Sequence, residues 1–222
     1  MPRAFYLRPA RTVARDLLGC TLVSRRGRAL TAGRIVETEA YLGPEDAASH
    51  AAFRPGSRDL FYGHGGRAYV YLNYGIHVCL NAITGRAGTP GCVLIRAVEP
   101  VAGIDTMVRR RGVPATSVRI ASGPGNLTRA LGITLADNAA DLTQGPLTIE
   151  PRTGPRPRIT TGPRIGITRA VDLPLRFWIA NSPSVSKAIR SESGGQALTS
   201  ARASTGCAAA LRGRTARRGA RD

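Results

Sequence analysis

Residues 34–50 read RIVETEAYLGPEDAASH, and no other stretch restricts the fold as much, because it sets four carboxylates and a tyrosine into a segment that begins as a strand. A strand alternates its side chains, so Ile35, Glu37, Glu39 and Tyr41 share one face, while Arg34, Val36, Thr38 and Ala40 share the other. Ionised carboxylates are seldom buried unless paired or engaged in chemistry, so the first face is either a solvated strand edge or a site. Gly43-Pro44 is a turn. Pro44 suits the first position of a helix, with Glu45 and Asp46 near its positive end and His50 about one and a half turns along.

The second informative stretch is residues 68–83, AYVYLNYGIHVCLNAI. Its β-branched and aromatic content indicates strands, and Tyr74-Gly75 interrupts it where glycine can take the positive φ of a tight turn. The result is a hairpin with an aromatic at or near its tip. Tyr69, Tyr71 and Asn73 alternate with Val70 and Leu72 on the first arm, and Val78 and Leu80 alternate with His77, Cys79 and Asn81 on the second. A tyrosine in a strand is ordinarily a packing residue. At the end of a hairpin in an arginine-rich chain it is also the device by which proteins wedge between DNA bases.

Charge points the same way. Lys and Arg number 32 against 14 Asp and Glu, a net charge of +18 over 222 residues, so a polyanion is the expected partner. Lys187 is the only lysine. Arginine suits bidentate phosphate contacts, although codon bias toward arginine gives the same count. The length fits one domain, and 42% hydrophobic residues suffice for its core. Cys20, Cys79, Cys92 and Cys207 lack CxxC spacing and read as reduced thiols of a cytoplasmic protein. His50, His64 and His77 form no zinc pattern, so neither a metal nor a cofactor is expected. No apolar run has membrane-spanning length, and the N-terminus lacks the apolar core of a signal peptide.

Taken in order, residues 12–18 form a helix stopped by Gly19, and residues 21–24 and 29–41 form a hairpin around a basic turn. Residues 53–67 are a loop whose arginines could touch phosphate. Residues 91–98 are an apolar strand holding Arg96, which needs an acidic partner such as a carboxylate of the first stretch. Residues 100–111 form a helix ending in three arginines, and residues 122–133 a Gly-rich loop and helix closed by Gly132. Such a loop can hold a phosphate, but its spacing fits neither nucleotide fingerprint. Residues 147–150 and 175–180 are strands separated by a Pro/Gly-rich loop, 151–162. The globular domain spans residues 1–186. Residues 187–222 are rich in Ser, Gly, Ala and Arg with few large apolar side chains, and are expected to be a disordered basic tail.

RIVETEAYLGPEDAASH, YVYLNYGIHVCLN, CVLIRAVEP, SGPGNLTRALGI and PLRFWIANSPSVS, in this order and spacing, resemble the alkyladenine (3-methyladenine or methylpurine) DNA glycosylases over residues 13–186. The resemblance implies a mixed α/β (α+β) single domain with a curved, mainly antiparallel sheet, flanking helices and a protruding β-hairpin that enters the minor groove. It implies a monofunctional enzyme of base excision repair, which flips alkylated or deaminated purines out of duplex DNA, hydrolyses the N-glycosidic bond and leaves an abasic site. By position, Glu39 resembles the catalytic carboxylate and Tyr74 the residue that fills the vacated space. Tyr41, His50 and Tyr71 match the residues that sandwich the base, Asn81 the one that discourages guanine, and Arg96 a pocket residue that contacts the DNA backbone. Strand register alone allows Glu37 as well as Glu39. Damaged double-stranded DNA is the implied partner, with no membrane or obligate protein partner, and the chain is expected to act as a monomer.

The chemistry is consistent with that resemblance. Breaking an N-glycosidic bond builds positive charge on the sugar, which a carboxylate stabilises while polarising the attacking water. Extrusion favours damaged or mispaired bases, and electron-rich rings attract cationic alkylpurines. Asn73, Asn126 and Ser184 depart from the usual residues beside the wedge, in SGPxKL and in SPxVS. Three other readings compete: a bifunctional glycosylase with an amine nucleophile, a metal-dependent nuclease built on Glu37, Glu39 and Asp46, and a non-catalytic nucleic-acid-binding module of the same fold.

Overall fold

Pairing of the long strand β2 (Ala29–Tyr41) along both edges organises the protein. The computed structural model describes residues 1–186, so the expected tail lies outside the described residues. Residues 1–186 belong to one compact unit. Helices α1 (Arg3–Tyr6) and α2 (Ala10–Leu17) come first, followed by β1 (Thr21–Arg26), which folds back onto β2 through Gly27 and Arg28. On α2, Val13, Ala14 and Leu17 are buried, and Thr38 Oγ1 of β2 donates to the Ala14 carbonyl at 2.9 Å.

The sheet order is β3-β4-β5-β2-β1-β6, where β3 is Ala68–Asn73, β4 His77–Thr84, β5 Gly91–Ala102 and β6 Leu147–Glu150. Two further strands, β7 (Ile159–Gly162) and β8 (Arg176–Ile179), pair with each other, and β8 pairs with β2 at residues 37–39, on the edge that β1 has left. All these pairings are antiparallel, and irregular register between β2 and β5 accompanies the curvature. The strand β7 lies in the stretch expected to be loop. Its pairing to β8 stabilises what composition alone leaves irregular.

Two bulges set the chemistry of the centre. Ile35 pairs with Val98 and Glu37 with Ala97, which leaves Val36 as the extra residue on β2; Thr38 then pairs with Ile95, which leaves Arg96 extra on β5. An extra residue breaks the two-residue alternation. Ile35 therefore joins Val36 and Ala40 in the hydrophobic core instead of sharing a face with the carboxylates.

Three other expectations change. No helix begins at Pro44: the Asp46 carboxylate accepts from the Leu42 and Ala48 amides, a local bond that competes with helix, and α3 (His50–Phe53) starts at His50 under a Ser49 cap. The loop at 53–67 contains a 3-10 turn and α4 (Arg58–Tyr62), which buries Phe61 completely. Pro100 continues β5 rather than opening a helix. The strand stops at Gly103, whose φ of 69° and close approach to the Leu30 carbonyl exclude a side chain, and α5 (Ile104–Arg111) follows. The helix α6 (Pro124–Leu131) ends at Gly132 as expected and packs behind the hairpin, with Thr128 Oγ1 donating to the Val78 carbonyl at 2.9 Å.

Candidate active site

Glu37 and Glu39 are both fully buried, which removes the solvated-edge interpretation of their strand. Arg96, extruded by the bulge on β5, lies between them, with Nε 3.0 Å from Glu37 Oε1 and Nη1 3.2 Å from Glu39 Oε1. The expected partner of Arg96 is thus present twice over. Burial alone would lower the Arg96 pKa, but the charges of Glu39 and Glu37 raise it, so the guanidinium stays charged. At 6% exposure it faces the two carboxylates and Ser186.

The surroundings of the two carboxylates differ. Glu37 Oε1 accepts from Arg96 Nε, from Arg176 Nε at 2.7 Å and from the Ser186 hydroxyl at 2.9 Å, while Oε2 accepts the Ser186 amide at 2.7 Å. Glu39 Oε1 accepts the Ile165 amide at 2.8 Å, and its Oε2 accepts only the Tyr41 hydroxyl, at 2.9 Å, among the described residues. Burial, then the Glu39 charge, raises the Tyr41 pKa well above the usual phenol range, so Tyr41 remains a neutral donor.

Tyr41 leads from Glu39 to an aromatic cluster. Phe61 and Tyr69 are buried, and Tyr41, Tyr62 and Tyr71 pack against them. Tyr69 and Tyr71, two residues apart on β3, stack with centroids 5.1 Å apart; His50 meets Tyr71 edge-on at 4.5 Å and shares a 2.9 Å hydrogen bond between Nδ1 and the Tyr69 hydroxyl. Burial first, and the Arg54 charge second, push the His50 pKa down to about 4, so its ring is neutral near pH 7. Asn81 of β4 donates from Nδ2 to the Tyr69 carbonyl at 3.1 Å, while its Oδ1 lies 3.8 Å from the Cys92 thiol. Cys79 is buried too, its pKa pushed up to about 11 by that burial, and it is an inert thiol.

The structure therefore gathers Glu39, Tyr41, His50, Tyr71, Asn81 and Arg96 around one centre, and it sets Tyr74 apart. Tyr74 stands at the hairpin tip with 75% of its surface exposed, beside Ile76 at 72%. Tyr74 and Gly75 have φ of 49° and 70°, and the Ile76 amide bonds to the Asn73 carbonyl at 3.1 Å, a tight turn within the three-residue loop that joins Asn73 to its pairing partner His77. The Tyr74 hydroxyl touches the Gly166 carbonyl at 3.3 Å.

Sequence reasoning missed four participants. Tyr69 had a signal, since alternation places it on the face of Tyr71. Ile165 had none, because a backbone donor leaves no mark on residue type, and Ser186, whose amide and hydroxyl both reach Glu37, had none because its partner is distant in sequence. Arg164, in an irregular loop, had none either: its guanidinium grips the Asp46 carboxylate at 2.6 and 2.9 Å, both side chains wholly buried, and lies 4.7 Å over the Tyr41 ring. Burial alone would raise the Asp46 pKa, but the Arg164 bonds and the Leu42 and Ala48 amides hold it below the usual carboxylate range. Among the described residues no three acidic, imidazole or thiol groups converge as a metal site, and no helix is long and apolar enough to cross a membrane. Asn126, where the family pattern has lysine, donates to the Ser122 carbonyl of its own loop at 2.7 Å.

Comparison with known proteins agrees with this geometry. The profile of the family described as Methylpurine-DNA glycosylase matches residues 4–183. A relative from Methanoculleus marisnigri, provisionally named a 3-methyladenine DNA glycosylase, is 47% identical over 191 residues, covering 84% of this chain and 98% of the relative. Relatives with the same provisional name from Koribacter versatilis and Methanocella arvoryzae are 46% and 47% identical over 84% of this chain, covering 92% and 96% of their own lengths. A buried carboxylate beside an aromatic cluster, an exposed tyrosine on a hairpin and a match over most of the chain lead to one conclusion: the protein belongs to the methylpurine-DNA glycosylase family and is a DNA glycosylase.

Proposed function

We propose that the protein is a monofunctional glycosylase of base excision repair that extrudes alkylated or deaminated purines from duplex DNA and hydrolyses their N-glycosidic bond. The observation that carries this reading is the hydrogen bond from Tyr41 to Glu39 Oε2, which places a carboxylate with a spare lone pair beside the aromatic cluster. In this reading Tyr41, His50 and Tyr71 hold the extruded base, Asn81 discriminates against guanine and Tyr74 occupies the gap in the stack. Glu39 orients the attacking water and stabilises positive charge developing on the sugar, while Arg96 and the Ile165 amide fix its other oxygen.

An intact abasic site is the expected product, because forming a Schiff base needs an amine. Residues 1–186 contain no lysine, and the Met1 amine bonds to the Ile149 carbonyl on β6, two strands from β2 in the sheet. The nuclease reading needs carboxylates able to take a metal, yet Glu37, Glu39 and Asp46 are each engaged by arginine. A binding module has no use for a buried Glu39, whose desolvation is costly. The test is Glu39→Gln, assayed for free base released from duplexes with one defined lesion. Retained DNA binding with lost release is expected. Full release by the variant, or an adduct trapped by borohydride on the wild type, would overturn the reading.

A further inference from the structure

Both tyrosines proposed to sandwich the base already carry a cation from the protein. Arg164 lies 4.7 Å over the Tyr41 ring and Arg54 lies 5.3 Å over the Tyr71 ring. An aromatic ring attracts a cation through its negative face, and one that already holds a guanidinium offers less to a second. The two arginines are held differently. Arg164 is locked by Asp46 in the interior, its charge compensated. Arg54 is exposed, follows directly after α3, and forms no salt bridge with a carboxylate of the described residues. It borders an open hollow of about 330 Å³ together with Phe53 and Arg58.

Arg54 thus places an uncompensated positive charge at the wall of the aromatic cluster. Its charge is felt there: after burial, it is the second reason that His50 resists protonation. A purine alkylated at N3 or N7 in DNA carries a similar positive charge, whereas hypoxanthine, the product of adenine deamination, carries none.

We propose that Arg54 is a specificity-determining residue, biasing the pocket toward neutral purine lesions over cationic ones by supplying its own cation at Tyr71. The inference rests on the pocket described under the proposed function. Cationic lesions remain substrates because their glycosidic bonds are intrinsically weak, and Arg54 changes the ratio, not the chemistry.

The test measures single-turnover kcat/KM on two duplexes of identical sequence, one carrying N7-methylguanine and the other hypoxanthine, for the wild type, Arg54→Gln and Arg54→Lys. A loss of phosphate contacts would affect both substrates equally and cancel in the ratio. Arg54→Gln should raise the preference for methylguanine over hypoxanthine roughly two- to fivefold. Arg54→Lys, which keeps the charge, should leave the ratio near wild type, and the difference should shrink at high salt. If the wild type releases both bases but Arg54→Gln leaves the ratio unchanged or lowers it, the inference alone is overturned. Release of neither base by the wild type would overturn the proposed function along with it.

Discussion

Glu37 and Glu39 stand two residues apart on one strand, are equally buried and both touch Arg96, yet the protein surrounds them in opposite ways. Every partner of Glu37 is a donor, supplied by Arg96, by Arg176 on β8 and by Ser186 at the end of the domain, so it fastens the C-terminal segment to the sheet. Glu39 has fixed donors on one oxygen only, and its other oxygen meets a hydroxyl at the edge of the aromatic cluster. A buried carboxylate surrounded by donors holds structure together. One with an oxygen met only by a rotatable hydroxyl keeps bonding capacity to spare.

Isosteric amides should expose this difference. In Glu39→Gln the amide oxygen can face Ile165 and Arg96 while the NH2 faces Tyr41, whose hydroxyl can turn to accept. Folding should survive, and single-turnover base release should fall by roughly 10² to 10³ or more, as for removal of other transition-state charge partners. In Glu37→Gln each orientation sets the NH2 against an N–H donor, and Arg96 and Arg176 lose a counter-charge. That variant should lose about 3 kcal/mol of stability, a fall in Tm of roughly 6–12 °C, while the folded fraction keeps near-normal release. Calorimetry and base release on both variants decide the matter. The opposite pattern, an unstable Glu39→Gln and an inactive but stable Glu37→Gln, would reverse the two roles.

The hairpin tip extends the contrast from interior to surface. Since Tyr74 is exposed, Tyr74→Ser should leave the melting temperature in place, whereas a core tyrosine would cost about 3 kcal/mol. Base release should fall roughly tenfold from well-paired lesions and less from mispaired ones, which are cheaper to extrude. A uniform loss across pairing contexts would break the assignment of Tyr74 as a wedge.

The smallest expected effect concerns His50. With its pKa held at about 4 by burial and then by Arg54, against 6.5 for a free imidazole, the unfolded chain binds a proton between these values and the folded chain does not. Its contribution to stability is complete above pH 6.5 and is lost as the pH falls toward 4. The difference in unfolding free energy between wild type and His50→Phe should narrow across that window, and a difference independent of pH would place His50 in a more solvated environment. Because His50 is neutral throughout the physiological range, base release should show no inflection near pH 6.5 from this residue.

Much of the fold was legible in the chain. Alternating β-branched residues marked β1 to β4, and glycines marked the ends of α2 and α6, because these signals are local and act within a few residues. The start of α3, the extension of β5 through Pro100 and the strand β7 were not legible, since each depends on partners distant in sequence or on Asp46 bonding to the backbone in place of helix. In the site, Glu39, Tyr41, His50, Tyr71, Asn81 and Arg96 stood out by type and by the family pattern. Arg164, Ile165 and Ser186 did not, as they act through backbone amides or from irregular loops.

By itself, the sequence determined most of the strands, that Arg96 needs a carboxylate of the first stretch, and that a tyrosine crowns a hairpin, because residue type and a period of two carry that information. Only the tertiary structure distinguished the surroundings of Glu37 from those of Glu39. Arg176 on β8 and Ser186, almost 150 residues away, fill the space around Glu37, whereas among the described residues Oε2 of Glu39 meets only the Tyr41 hydroxyl. Proximity of that kind arises from chain closure and packing, and no local pattern encodes it.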